Sequence, residues 1–337
     1  MKTKAAILRN VGGPLIIEEL EIPKLAQGQV LVRILYSGLC RSQLNEIAGR
    51  KGREFIPHLL GHEASGVVVD IGEGVKKVKP NDYVVCSWIK GGGLDAPIVN
   101  YKSNSGIVNA GAVATFIEFA VISENRLVLI PREVKPDVAS LLGCAVPTGA
   151  GIIDRLGELH QKKIVIFGIG GIGASALMRA LVLGAQCTAV DVIEWKLEWA
   201  RNLGVFAAFH PNDPFYPEET PLGNFDYAIE CSGHKAAMEM AFECLKNNGT
   251  AIIAGNLAPG ERISIDPFEL VKGRKLRGTW GGECFLDEDI SFYASEYLKD
   301  NFPVEKLITK VYSFNQINEG LEDLEEGKLI RGIVKLV

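Results

Sequence analysis

No C-x-x-C occurs in this sequence. Its seven cysteines (40, 86, 144, 187, 231, 244 and 284) are odd in number and widely scattered. That excludes a disulfide framework and fits a reducing compartment, where a few thiolates bind metal and the rest act as small buried hydrophobes. Basic charge is not in excess either: 36 Lys and Arg stand against 41 Asp and Glu, a net charge of −5. Such a surface carries no electrostatic footprint for a nucleic-acid backbone or an anionic membrane, so neither is expected as a partner. The start, MKTKAAILRNVGGPLIIEEL, breaks its apolar run at Arg9, Asn10 and Gly12-Gly13. A signal-peptide core is therefore not expected, and the setting is expected to be cytoplasmic. One long apolar stretch, IVIFGIGGIGASALMRALVLGAQ (164–186), has the length of a membrane span. Four of its glycines fall within 168–173, and Arg179 sits in its second half. A strand, a glycine turn and a buried helix explain it better.

What is present is a long and fairly apolar chain: 337 residues, 47% hydrophobic and 23% charged. Two domains with cores of ordinary size are expected. Up to about residue 145 the sequence reads as short strands separated by Pro, Gly and Asn: KTKAAILR, LIIEELEIP, QVLVRILYSG, SGVVVDIG, DYVVCSWI, FIEFAVI and RLVLIP. After Pro147 the pattern changes. IVIFG, CTAVDV, FDYAIECSG and GTAIIAG are apolar strand runs, and GASALMRALVLG, EWKLEWARNLG and KAAMEMAFECLKNNG are helical segments between them. This alternation indicates βαβ units around a parallel sheet covered on both faces. The tail offers a helix (DEDISFYASEYLKDN), a strand (KVYSF), a short helix (FNQINEGLEDLEEG) and a last strand (IRGIVKLV). The expected organisation is a β-rich domain over 1–146, a Rossmann-type doubly wound domain over 147–282, and a segment 283–337 that returns to the first domain. The stretch 91–109, GGGLDAPIVNYKSNSGIVN, is the most loop-like.

Residues 168–173, GIGGIG, form a G-x-G-x-x-G between an apolar strand and a helix. Gly168, Gly170, Gly171, Ile172 and Gly173 thus make a tight turn that lets backbone approach a pyrophosphate at a helix N-terminus. Asp191 ends the next strand, 18 residues past Gly173. A carboxylate there accepts hydrogen bonds from ribose hydroxyls and repels a 2′-phosphate, so the expected cofactor is NAD rather than NADP. Lys196 either reaches the same ribose or is an exposed helix lysine.

His62, in LLGHEASG, reads first as a core histidine. Cys40, just past a strand in LYSGLCRSQ, and Cys144, in LLGCAVPTGAG, change its context. Cys, His and Cys suit Zn²⁺, and three protein ligands leave a fourth position open, as in catalytic rather than structural sites. The ligands lie 22 and 82 residues apart, so spacing alone does not establish the set. Several motifs together do more: GHE before a glycine-bearing strand, C-R-S after a strand, G-C-x-x-x-T-G ahead of GIGGIG, GTWGG at 278–282, and the ending GKLIRGIV. With these the chain resembles the zinc-dependent medium-chain dehydrogenase/reductase family, in its alcohol dehydrogenase branch, over nearly its whole length except about 86–112.

The resemblance implies a GroES-like catalytic domain joined to a Rossmann domain. It implies hydride transfer between an alcohol and NAD, with an aldehyde or ketone in reverse and one catalytic zinc that activates the alcohol. Cys40, His62 and Cys144 are then the zinc ligands. Glu63 is a carboxylate beside the ligand histidine that can approach the metal, or else part of a buried salt bridge. Ser42 takes the substrate proton first, or else caps a helix. Arg41 and Arg331 contact the pyrophosphate, Thr148 touches the nicotinamide, and Trp88 and Phe116 fall where the substrate pocket is lined, or else in the core. A homodimer or homotetramer is implied, joined through an edge of the cofactor-domain sheet. The competing readings are a zinc-free reductase of the same superfamily and a non-enzymatic NAD-binding sensor.

The sequence departs from the family in three places. The region that often carries four closely spaced cysteines has only Cys86, so no second zinc is expected. Gln43 stands where the family usually has Asp; its amide oxygen is expected to accept the His62 ring N–H. Asn45 stands where some members end a proton relay on histidine, so the proton is expected to leave through ribose hydroxyls and water.

Overall fold

A computed structural model describes residues 1–50, 52, 54–213 and 224–337. Backbone contacts divide the chain into two compact units, Met1–Cys144 with Phe285–Val337, and Ala145–Cys284.

In the first unit, a sheet runs in the order Leu127–Leu129, Tyr83–Ser87, Glu63–Ile71, Gln29–Gly38, Arg331–Lys335, Ile308–Ser313, with Phe119–Ser123 also paired to Gln29–Gly38. The last strand of the chain therefore lies beside Gln29–Gly38, antiparallel to it, with Ile333 opposite Gly38. A closed barrel is formed by Lys2–Leu8, Leu15–Glu21, Asn100–Ser103, Gly106–Asn109 and His58–Leu59. One apolar core fills the unit, including Ile7, Leu20, Val32, Ile34, Leu60, Phe116 and Ile122.

The stretch 91–109 is less loop-like than expected. Asn100–Ser103 and Gly106–Asn109 pair as an antiparallel hairpin, with Tyr101 opposite Val108 and both buried. The Tyr101 hydroxyl accepts the Val121 N–H at 2.7 Å. Each strand has only four residues, too few for a period of two to stand out.

The second unit has a six-stranded sheet among its described residues, all parallel, in the order Ala207–Phe209, Gln186–Val190, Lys163–Phe167, Phe225–Glu230, Leu245–Ile253, Lys275–Gly278. Numbered by their order along the chain this is 3-2-1-4-5-6, the doubly wound dinucleotide-binding order, whose ligand crevice lies past the carboxyl ends of the strands. Ile164, Val165 and Ile166 are fully buried, as a central strand covered on both faces requires. The helix expected over KAAMEMAFECLKNNG is shorter. It spans Lys235–Glu243, and LKNN opens the strand Leu245–Ile253. Asn248 takes φ 65°, and the register shifts between Phe225 and Tyr227. This irregularity hid the strand start behind a run of helix-compatible residues. No helix among the described residues is long and apolar enough to cross a membrane; 164–186 is a strand, a turn and the helix Gly171–Val182.

Candidate active site

In the first unit, three loops bring the metal-ligating side chains together. Cys40 follows the strand Gln29–Gly38 and is the N-cap of the helix Arg41–Ile47. His62 directly precedes the strand Glu63–Ile71, and Cys144 follows Gly143. The loops approach so closely that side chains are excluded beside them. A Cβ on Gly38 would lie 2.3 Å from Glu63 Oε1, and one on Gly143 would lie 2.3 Å from the Cys86 carbonyl oxygen. The candidate ligand atoms of Cys40, His62 and Cys144 all fall within 4.8 Å of one another. Tetrahedral bonds of about 2.0–2.3 Å place ligand atoms roughly 3.5–4 Å apart, a spacing compatible with a cluster no wider than this.

The thiols separate by environment. Hydrogen bonding to Cys144, then hydrogen bonding to and the charge of His62, and the charge of Arg331, hold the Cys40 thiol well below its ordinary range despite its desolvation. Burial alone pushes Cys187 up to about 12 and raises Cys86 further. Burial likewise pushes Cys244 up to about 12. A thiol poised to ionise is a metal ligand or a nucleophile, and the others are packing groups, as expected for Cys187 and Cys244.

Gln43 is fully buried. Its Oε1 accepts the Cys40 backbone N–H, and its Nε2 lies 3.1 Å from His62 Nδ1. The expected arrangement, with the amide oxygen on the ring N–H, is therefore not found. The backbone N–H can only donate, so it claims the oxygen and turns the amide nitrogen toward the imidazole.

Glu63 is completely buried and forms an ion pair with Arg331, itself 3% exposed. The carboxylate expected to approach a metal and the guanidinium expected at a pyrophosphate are thus engaged with each other. The Ser42 hydroxyl is buried and has no hydrogen-bond partner among the described residues. Arg41 is exposed. Trp88 is half-buried, and its carbonyl accepts a bond from Arg126. Phe116 has no exposed surface and belongs to the core, the second of the two readings its position allowed.

In the second unit, Gly168 takes φ 86° to turn the chain out of the strand Lys163–Phe167. A Cβ on Gly173 would lie 1.9 Å from the Gly168 carbonyl oxygen, so only glycine lets the turn close. Gly170 is the N-cap of the helix Gly171–Val182 and supplies no side-chain acceptor. The helix opens with Gly171, Ile172 and Gly173, whose first-turn N–H groups suit an anionic ligand. Asp191 is 9% exposed, and its two oxygens accept Ile169 N–H at 2.6 Å and Ile193 N–H at 3.0 Å. It therefore holds the glycine turn in place, a role not visible in the sequence. Lys196 is not the exposed lysine of the alternative reading. It is buried on the helix Glu194–Asn202, with its ammonium 5.8 Å from the Trp195 ring. Thr148 is 6% exposed, and its hydroxyl has no partner among the described residues.

Sequence reasoning passed over Glu230. This fully buried carboxylate at the end of Phe225–Glu230 accepts bonds from Ser232 N–H, Ser232 Oγ and Gly233 N–H. Burial raises its pKa against those bonds. The signal was present in FDYAIECSG: an acid ending an apolar strand, just ahead of a glycine turn.

These two sites define a zinc-type dehydrogenase with a GroES-like domain and a Rossmann domain, and comparison with known proteins agrees. Residues 26–132 match the alcohol dehydrogenase GroES-like domain, and residues 171–296 match the zinc-binding dehydrogenase model. The alcohol dehydrogenase class-3 of Pisum sativum is 30% identical over 365 aligned positions, covering 98% of this chain and 97% of that protein. An S-(hydroxymethyl)glutathione dehydrogenase of Escherichia coli O1:K1 / APEC is 28% identical, covering 99% and 100%. Among solved structures, the benzyl alcohol dehydrogenase of Acinetobacter calcoaceticus aligns with a TM-score of 0.90 at 26% identity, covering 100% of both chains. An alcohol dehydrogenase zinc-binding domain protein from Burkholderia ambifaria aligns with a TM-score of 0.93 at 27% identity, covering 100% of this chain and 99% of that one. The chain belongs to the zinc-dependent medium-chain dehydrogenase family, in its alcohol dehydrogenase branch. It is an oxidoreductase of the alcohol dehydrogenase type.

Proposed function

We propose that the protein interconverts an alcohol and its aldehyde or ketone, with NAD as hydride acceptor and one zinc ion held by Cys40, His62 and Cys144. The observation that carries this reading is the convergence of those three side chains with a Cys40 thiol already favoured as thiolate. When bound, zinc supplies Lewis acidity that makes a substrate hydroxyl acidic near neutral pH. The Ser42 hydroxyl, buried and without a hydrogen-bond partner among the described residues, receives the substrate proton. Asn45 does not titrate, so the chain supplies no ionisable side chain at that position to carry the proton beyond Ser42. The turn from Gly168 to Gly173 and the following helix hold the pyrophosphate, Arg41 neutralises it, and Asp191 takes the adenosine ribose. Glu63 and Arg331 form the buried charge pair behind the ligands.

A small alcohol is the substrate class, with Trp88 as a flat wall for it. The free cysteines support a reducing, cytoplasmic setting. A homodimer or homotetramer is supported by the edge strand Lys275–Gly278, near which Phe268, Val271 and Trp280 are 60%, 78% and 78% exposed.

The test is turnover over a panel of primary, secondary and aromatic alcohols with NAD and with NADP. NAD-linked oxidation of at least one class is expected. kcat/KM should be at least about tenfold higher than with NADP, because Asp191 opposes a 2′-phosphate. Binding of NADH without turnover of any alcohol or carbonyl would favour the sensor reading instead.

The Gln43 amide makes a second test. A metal-bound histidine normally donates its other ring N–H to an acceptor, and here that ring nitrogen faces an amide N–H₂. Gln43→Glu supplies a second oxygen at nearly unchanged volume, one for the Cys40 N–H and one for the imidazole. Zinc affinity, measured by competition with a chelator, is expected to rise about 10- to 100-fold. An unchanged affinity would show that Gln43 does not govern the ligand.

A further inference from the structure

We propose that the hydroxyls of Ser37 and Thr115 form a latch that sets His62 against Cys40 and so fixes the spacing of the metal ligands, an inference that rests on the zinc reading above. Both residues belong to the first unit and neither has any exposed surface. Their hydroxyl oxygens lie 2.7 Å apart. Both also approach the Glu63 carbonyl oxygen, Ser37 at 3.0 Å and Thr115 at 3.4 Å. Each hydroxyl has one hydrogen to give. The two shorter contacts use both: Thr115 donates to Ser37, and Ser37 donates to the Glu63 carbonyl. The 3.4 Å contact is long for a hydroxyl donor and is the one left over.

The latch grips the chain on both sides of His62. After it, the Glu63 carbonyl is held by Ser37. Before it, Gly61 takes φ 89°, and a Cβ there would lie 2.4 Å from Thr115 Oγ1 and 2.8 Å from the Phe116 backbone nitrogen. The Leu60 carbonyl accepts the N–H groups of Thr115 and Phe116, each at 3.1 Å. The segment 60–63 is thus seated on Thr115, and Ser37 ties it to the strand Gln29–Gly38, which ends two residues before Cys40. Pairing of that strand with Glu63–Ile71 ends at Ser37 opposite Ala64. The Ser37 hydroxyl therefore makes the last link between the two strands, where one leads on to Cys40 and the other begins after His62.

That place gives the bonds a role beyond folding. A metal binds tightly to ligands that already stand at the right separation, because freedom left in them must be lost on binding. Gln43 controls the side chain, with its Oε1 on the Cys40 N–H and its Nε2 3.1 Å from His62 Nδ1. Ser37 and Thr115 control the backbone that carries the same imidazole. Both are neutral, so they set geometry without altering the charge of the cluster.

The experiment measures zinc affinity by chelator competition, and the visible bands of the cobalt-substituted protein, for the full-length parent, Ser37→Ala, Thr115→Val and Thr115→Ser. Ser37→Ala should weaken zinc about tenfold, the scale of an outer contact to a metal ligand, and should shift or broaden the cobalt bands. Thr115→Val leaves Ser37 able to donate to Glu63, so its loss should be smaller, about threefold. Thr115→Ser keeps the hydroxyl and should bind zinc like the parent. Parental zinc affinity and cobalt bands in Ser37→Ala, even with a lowered melting temperature, would overturn the proposal, since they mark a hydroxyl that serves stability alone. If Ser37→Ala does not fold, the two Thr115 variants decide: equal zinc affinity in both, whether parental or weakened, would overturn it. A parent that binds no zinc would overturn the zinc reading itself, and this inference with it.

Discussion

Glu63→Gln is expected to destabilise the first unit by about 3–5 kcal/mol, a large effect for a change that alters side-chain volume so little. The Glu63 side chain has 0% and the Arg331 side chain 4% of its surface exposed, and the two are paired. Removing one charge leaves the other buried without compensation, which is far costlier than the net worth of the pair. Glutamine creates no cavity, so the loss is electrostatic rather than one of packing. Replacing both partners, with Glu63→Gln and Arg331→Met together, should recover much of the loss, because no unpaired charge then remains. Urea unfolding of the parent, the single variant and the double variant checks this. A loss under about 1 kcal/mol in the single variant, a value typical of exposed pairs, would show that solvent reaches the site.

Cys40→Ser should remove bound zinc and lower turnover at least about a thousandfold, since the several kcal/mol of charge stabilisation supplied by the metal are lost. Serine is not a thiolate at neutral pH and does not replace a zinc ligand. The fold, however, should survive. Cys40 is the N-cap of Arg41–Ile47, and serine is among the favoured residues at that position. The metal-free variant should therefore unfold at the same denaturant concentration as the metal-free parent, while added zinc stabilises only the parent. Zinc-dependent stabilisation of the variant would place the metal elsewhere.

Much of the architecture was legible because its signals are local. The glycine turn from Gly168 to Gly173 carries its own strand before it and its own helix after it, and Asp191 closes the next strand within the same βαβ unit. The alternation of apolar strands and helices after Pro147 needs no long-range knowledge. The metal cluster was different. Cys40 and His62 meet because Gln29–Gly38 pairs with Glu63–Ile71, and Cys144 reaches them from 82 residues further on. No spacing rule encodes that convergence, and only the resemblance to a family suggested it.

What escaped the sequence was mostly pairing. The ion pair of Glu63 with Arg331 joins residues at opposite ends of the chain through the return of the strand Arg331–Lys335. The orientation of the Gln43 amide depends on one backbone N–H at Cys40. The hairpin within 91–109 is too short to show its period.

The most direct test of the central claim is zinc per chain, by elemental analysis of protein purified without added metal, with Cys40→Ser alongside. One cluster of metal-ligating side chains is found among the described residues. About one zinc in the parent and none in the variant is the expected result for a single catalytic site. A parent without zinc, or a variant that keeps it, would contradict a metal held by Cys40, His62 and Cys144.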